Sequence, residues 1–159
     1  MITTMKWQEQ YQRMYRWFER LKETKNGRLH DRDSRYYEDE ILAFFMNCYH
    51  LKDWIKNDNI VDKQIRDKVD DHINKDKNLQ ICADLCNSIK HLNLNRPPRS
   101  GQIPEFGTKK IRISLGSEPT RIGFDWFIEL NGSVIDAFEL AEACIQSWND
   151  FLSLQGLTL

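Results

Sequence analysis

The chain has 159 residues, of which 40% are hydrophobic and 30% charged. That composition excludes a disordered chain and fits one globular domain over residues 1–159, large enough to bury roughly 70% of the surface its unfolded form exposes. The net charge of −1 excludes a global electrostatic pull toward nucleic acid or membrane, so any such attraction has to be local.

The first residues carry no apolar signal-peptide core, and the longest apolar run, residues 41–46, is too short to span a bilayer. The expectation is a cytoplasmic protein with no membrane partner. The first helix is predicted over about residues 4–25. Trp7, Tyr11, Met14, Phe18 and Leu21 form one apolar stripe; Thr3 or Thr4 would cap its start, and Asn26-Gly27 ends it. Residues 28–34 are charged and aperiodic and read as a loop.

A second helix is predicted over about residues 36–57. Its middle is apolar all round (Ile41, Leu42, Ala43, Phe44, Phe45, Met46, Cys48, Tyr49, Leu51), so it should be buried on several sides, by its own bundle or by a second copy. Val61, Ile65, Val69 and Ile73 predict a third helix over about 60–74. Ile81, Leu85, Ile89 and Leu92 predict a fourth piece over about 79–92, either continuous with the third or separate from it.

Pro97-Pro98 and Gly101 exclude a helix in the next stretch. From residue 109 the period becomes two. Ile111, Ile113 and Leu115 alternate, residues 116–120 turn, and Ile122, Phe124, Trp126, Ile128 and Leu130 alternate again. Asn131-Gly132 signals a tight hairpin into a short strand at Val134 and Ile135. Asp136 then caps a last helix over about 137–154, lined by Phe138, Ala141, Ile145, Trp148 and Leu152. The expected fold is mainly α: an up-and-down helical bundle with a two- or three-stranded antiparallel β insertion, about residues 109–135, before the last helix.

Two features carry chemistry. Asp84, Asn87 and His91 share one side of the fourth helical piece, and Asn47, His50 and Trp54 share a face of the second. If those helices pack, Asn47, His50, Asn87 and His91 meet in one polar cleft, either a hydrogen-bonded docking network or an acid–base site. Between Lys90 and Arg112 there are six Lys/Arg against the single acid Glu105, a local patch able to hold a phosphate backbone. Its candidate contacts are Lys90, Arg96 and Arg99. The four cysteines, Cys48, Cys82, Cys86 and Cys144, lie in apolar helical patterns and read as reduced, buried thiols. Cys82 and Cys86 stand four apart without a second such pair, so neither a metal site nor a cofactor is expected.

The run Cys86-Asn87-Ser88-Ile89-Lys90-His91 resembles the signature of the HEPN superfamily: an arginine, a polar residue that is often asparagine, a few variable residues and a histidine. Arg35-Tyr36-Tyr37, followed by Cys48-Tyr49-His50-Leu51-Lys52-Asp53, resembles that superfamily's aromatic-to-histidine helix. The similarity spans residues 36 to about 92. It implies a helical bundle that homodimerises and works on RNA, or with a cognate protein, in phage-defence or toxin–antitoxin systems. Active members are metal-independent endoribonucleases, and by this resemblance Asn87 and His91 are the catalytic candidates; Asn47 and His50 of the polar face and Lys90, Arg96 and Arg99 of the basic patch are the candidate substrate-binding residues. The arginine position holds Cys86, which supplies neither permanent charge nor a bidentate fork. Losing such a contact costs about 10²–10³ in rate. The expectation is therefore a weak or inactive catalyst that binds RNA or a partner. The alternatives are an active endoribonuclease with His91 as base, and a purely structural dimeric module.

Overall fold

A computed structural model describes residues 6–29, 33–91, 96–114 and 121–159. Along the chain, α1 (Trp7–Asn26) leads through β1 (Arg28–Leu29) to α2 (Ser34–Asn57). Two short helices follow, α3 (Lys63–Arg66) and α4 (Val69–Lys75), then α5 (Lys77–His91). The strands β2 (Pro104–Ser114), β3 (Arg121–Leu130) and β4 (Ser133–Asp136) precede α6 (Ala137–Leu154). The chain is mostly helical with a small antiparallel sheet, as expected. Among the described residues no helix is long and apolar enough to cross a membrane.

All five stripe residues of α1 are buried. The expected caps Thr3 and Thr4 lie outside the described residues. The first N–H of the helix, on Trp7, donates to Asp58 Oδ2 at 3.1 Å, while Asp58 Oδ1 accepts from Ile60 N at 2.9 Å. One carboxylate thus caps α1 and shapes the exit from α2, serving donors that a helix start leaves unpaired.

Much of the apolar surface of α2 is covered within the chain, while Leu42, Ala43, Met46 and Tyr49 stay partly exposed. Tyr37, Ile41, Phe44, Phe45, Cys48, Leu51 and Ile55 are all buried, and the helix packs on both α1 and α5. Burying a side chain of that size is worth about 1.5–3 kcal/mol. Of the aromatic pair at its start, Tyr37 is buried and Tyr36 is exposed.

The third predicted helix breaks at Asp67-Lys68, where Lys68 N–H bonds Ile65 O three residues back. The open question of one helix or two is settled at Asp76. Its backbone is extended (φ −103°, ψ 113°), which stops α4, and its Oδ1 accepts from Leu79 N at 2.9 Å, which starts α5. These are two helices.

The sheet is larger than predicted. β2 begins at Pro104 rather than 109, because a bulge between Phe106 and Lys109 interrupts the alternation. The segment read as a loop after α1 contributes β1, whose Arg28 and Leu29 pair with Ile122 and Arg121. The strand order is β1-β3-β2, with β4 also pairing β3. Strand β3 alternates as expected, burying Phe124, Trp126, Ile128 and Leu130. Asn131 (φ 42°) and Gly132 (φ 89°) form the left-handed turn into β4. The turn expected at 116–120, with Leu115 before it, lies outside the described residues.

The capping prediction for the last helix holds: Asp136 Oδ1 accepts from Phe138 N at 2.7 Å and Glu139 N at 3.2 Å. Its other oxygen accepts from Lys25 Nζ at 2.7 Å, and Lys25 also reaches Asp125 Oδ1 at 3.0 Å. Arg112 grips Asp125 from β2 at 2.8 and 3.1 Å. This network ties the end of α1 to the sheet and to α6. Its hydrogen bonds hold the Asp125 pKa below the usual carboxylate value against burial, which alone would raise it.

A candidate cavity at the end of α5

The buried carboxylate of Asp84, 1% exposed, organises the basic loop. Asp84 Oδ1 accepts from Arg99 N at 2.8 Å. Asp84 Oδ2 accepts from Ser100 N at 2.9 Å and Ser100 Oγ at 2.6 Å. A buried carboxylate needs such donors, and backbone amides supply them without adding charge. Arg99 is anchored at its other end, where Nη1 donates to Asn74 Oδ1 at 3.1 Å.

Between this loop and the helices lies a cavity of about 490 Å³, lined by Tyr49, Asp84, Asn87, His91, Arg96, Pro97 and Arg99. Helix α5 supplies Asp84, Asn87 and His91 at spacings of three and four, one side of a helix as the sequence implied. His91, Arg96 and Arg99 are exposed, and Asn87 is half-buried. The volume suits a small ligand or one nucleotide unit. Its polar wall offers an amide, an imidazole and two guanidinium groups beside an aromatic ring.

The other predicted residues fall elsewhere. Asn47 faces α1: Gln10 Nε2 donates to Asn47 O at 3.0 Å and to Asn47 Oδ1 at 3.1 Å, and Asn47 Nδ2 donates to Ala43 O at 2.8 Å. Gln10 is 1% exposed and receives Arg13 Nη1 at 2.6 Å on its Oε1. Asn47 therefore belongs to an α1–α2 docking network. His50 is half-buried against Cys86, with Nε2 3.9 Å from the sulfur, and does not line the cavity. Lys90 is exposed on α5 and also stands outside the lining. The four-residue cleft is thus not formed. The residue of α2 that opens into the cavity is Tyr49, one helical step of about 100° from His50.

Cys86, at the arginine position of the resemblance, is a buried thiol. Burial pushes its pKa up to about 11, against the pull of Lys90, so it is neutral at physiological pH.

Sequence spacing linked Cys82 to Cys86, but the fold links it to Cys48 of α2 and Cys144 of α6. These three sulfurs lie within 4.8 Å of one another, all completely buried. Cys82 Sγ donates to Phe45 O at 3.4 Å and Cys144 Sγ to Asn78 O at 3.5 Å. All four cysteines are free.

No family model matches the chain, and neither the curated proteins nor the solved structures compared with it give a match.

Proposed function

We propose that this chain is a HEPN-like RNA-binding domain with weak or absent catalysis, working in a phage-defence or toxin–antitoxin setting. The observation that carries the reading is convergence. Asn87 and His91, the residues similar to the superfamily signature, share one cavity with Arg96 and Arg99 of the basic loop. Two guanidinium groups suit a phosphate backbone, and Tyr49 offers a ring to an unstacked base. The neutral thiol of Cys86 supports weak catalysis, since nothing at that position stabilises a developing phosphorane charge.

Fluorescence anisotropy with short labelled single-stranded RNAs tests this reading. The wild type is expected to bind, and Arg96→Ala with Arg99→Ala to weaken binding at least about tenfold, from two charged contacts worth roughly 1 kcal/mol each. Equal binding by the two proteins would remove the cavity from the account.

A second reading, an endoribonuclease with His91 as general base, is favoured by the same two arginines, which bring positive charge into His91's cavity from outside α5. His91→Ala should then abolish cleavage of single-stranded RNA with little change in melting temperature. A wild type that cleaves none of a broad RNA panel would sink this reading. The homodimer remains part of the proposal. Its support is now the strand β2, an edge among the described residues that exposes Ile111 and Ile113, and light scattering at micromolar concentration tests it.

A further inference from the structure

We propose that Cys48, Cys82 and Cys144 form a binding site for a soft, thiophilic metal ion of the monovalent copper class, held by three sulfurs at the junction of α2, α5 and α6. The proposal is independent of the RNA cavity.

Geometry comes first. The three sulfurs lie within 4.8 Å of one another, and each comes from a different long helix. A metal–sulfur bond of about 2.3 Å places three sulfurs around one centre roughly 4 Å apart. Small rotations of the three side chains therefore close the site without moving a helix. The sulfurs are fully buried, and three polarizable thiols facing one another form a soft, dry ligand set.

The surroundings hold a second observation. Trp148 Nε1–H is buried with no hydrogen-bond partner, although its side chain is completely enclosed. It sits beside Cys48. A metal-bound thiolate at Cys48 is the acceptor that this indole lacks. Buried donors without acceptors are rare, and each calls for an explanation.

Coordination number selects the ion. Among the described residues no fourth histidine, cysteine or carboxylate joins the cluster. Cys86 pairs with His50 instead, and its pKa is raised. A zinc ion would require a fourth ligand, and a sealed site offers no route for water to provide it. Monovalent copper is soft and accepts a three-sulfur shell. Two thiols bind as thiolates and release two protons to solvent, while the third coordinates as a neutral thiol. No electron is transferred, and the complex carries a net charge of −1, opposed by the Trp148 N–H. The protons leaving Cys82 or Cys144 free the carbonyl oxygens of Phe45 or Asn78, which remain within their helical ladders.

A site of this kind would pin α6, which follows the sheet in sequence, to α2 and α5. Because the cavity is closed, the ion has to enter as the chain folds.

The test is anaerobic refolding of the full chain with monovalent copper and a competing chelator, with zinc as a parallel arm. Native mass spectrometry is expected to find one copper ion per chain. X-ray absorption should show sulfur ligands only, three in number. The melting temperature should rise by about 5–10 °C when free ion stands near a hundred times its dissociation constant. Cys144→Ala and Cys48→Ala should each lose copper by at least about a hundredfold, whereas Cys86→Ala keeps it. Far-UV circular dichroism checks that each variant folds, and the wild-type stoichiometry stands whether or not they do. A wild type that refolds without copper, tighter binding of zinc with four ligands, or equal loss in Cys86→Ala would overturn the proposal.

Discussion

Asp84 holds Ser100 twice through one oxygen, Oδ2, which accepts the Ser100 backbone N–H at 2.9 Å and its hydroxyl at 2.6 Å. This clasp decides where Arg96 and Arg99 stand relative to His91. The basic loop is otherwise a proline-rich connection, and Asp84 converts it into one wall of a cavity.

Asp84→Ala should therefore release the loop. Hydrogen bonds to a charged group are worth about 1.5–3 kcal/mol, and the freed donors here can turn to water once the loop lifts. A loss of about 2–3 kcal/mol in urea unfolding is expected, with new protease cleavage between residues 96 and 103. Unchanged stability together with an intact loop would contradict this role.

Asn47→Ala separates docking from binding. Asn47 accepts from the buried Gln10 and lies away from the cavity. The variant should lose about 1–2 kcal/mol of stability, as expected when a buried amide loses a partner. RNA affinity should stay at the wild-type value. A selective loss of RNA binding at unchanged stability would return Asn47 to the site.

His72 predicts a pH dependence of stability. Its Nε2 lies 3.0 Å from Ser147 Oγ and 3.1 Å from Ser147 O, and its ring packs on Trp148 and Phe151. Burial lowers its pKa from the ordinary 6.5, although Asp76 pulls the other way. The folded chain thus favours neutral imidazole, and the unfolded chain takes up the proton first as pH falls. This contribution is complete above about pH 6.5 and is lost progressively as pH falls through the folded value. Melting temperatures between about pH 7.5 and 5.5 should decline, and His72→Gln should flatten the decline. A variant with the wild-type slope would assign the decline to other groups.

The sequence disclosed what local periodicity encodes. The stripe from Trp7 to Leu21 and the alternation from Ile122 to Leu130 are repeated many times over, so each names its element and its buried face. The break at Asp67-Lys68 stayed hidden because Ile65 and Val69 keep helical spacing across it. Strand β1 is two residues long and exists only because β3 lies beside it, a partner almost a hundred positions away in the chain. The start of β2 was masked by the bulge after Phe106, which breaks the period of two. In the site, Asn87, His91 and Asp84 were legible because they share one helix. Asn47 and His50 were misplaced because rotation about α2 sets their partners, and that rotation is fixed by core packing at Phe45, Cys48 and Leu51. The three-sulfur cluster was invisible for a related reason: its members sit on three helices with no spacing signature.

The salt dependence of RNA binding tests the central claim most directly, because it counts phosphate contacts. Each contact to a single strand contributes about 0.7 to the slope of log affinity against log salt. The account predicts that Arg96→Ala with Arg99→Ala lowers the wild-type slope by about 1.4, with folding intact. A wild type without salt-dependent RNA binding, or a double variant with the wild-type slope, would contradict it.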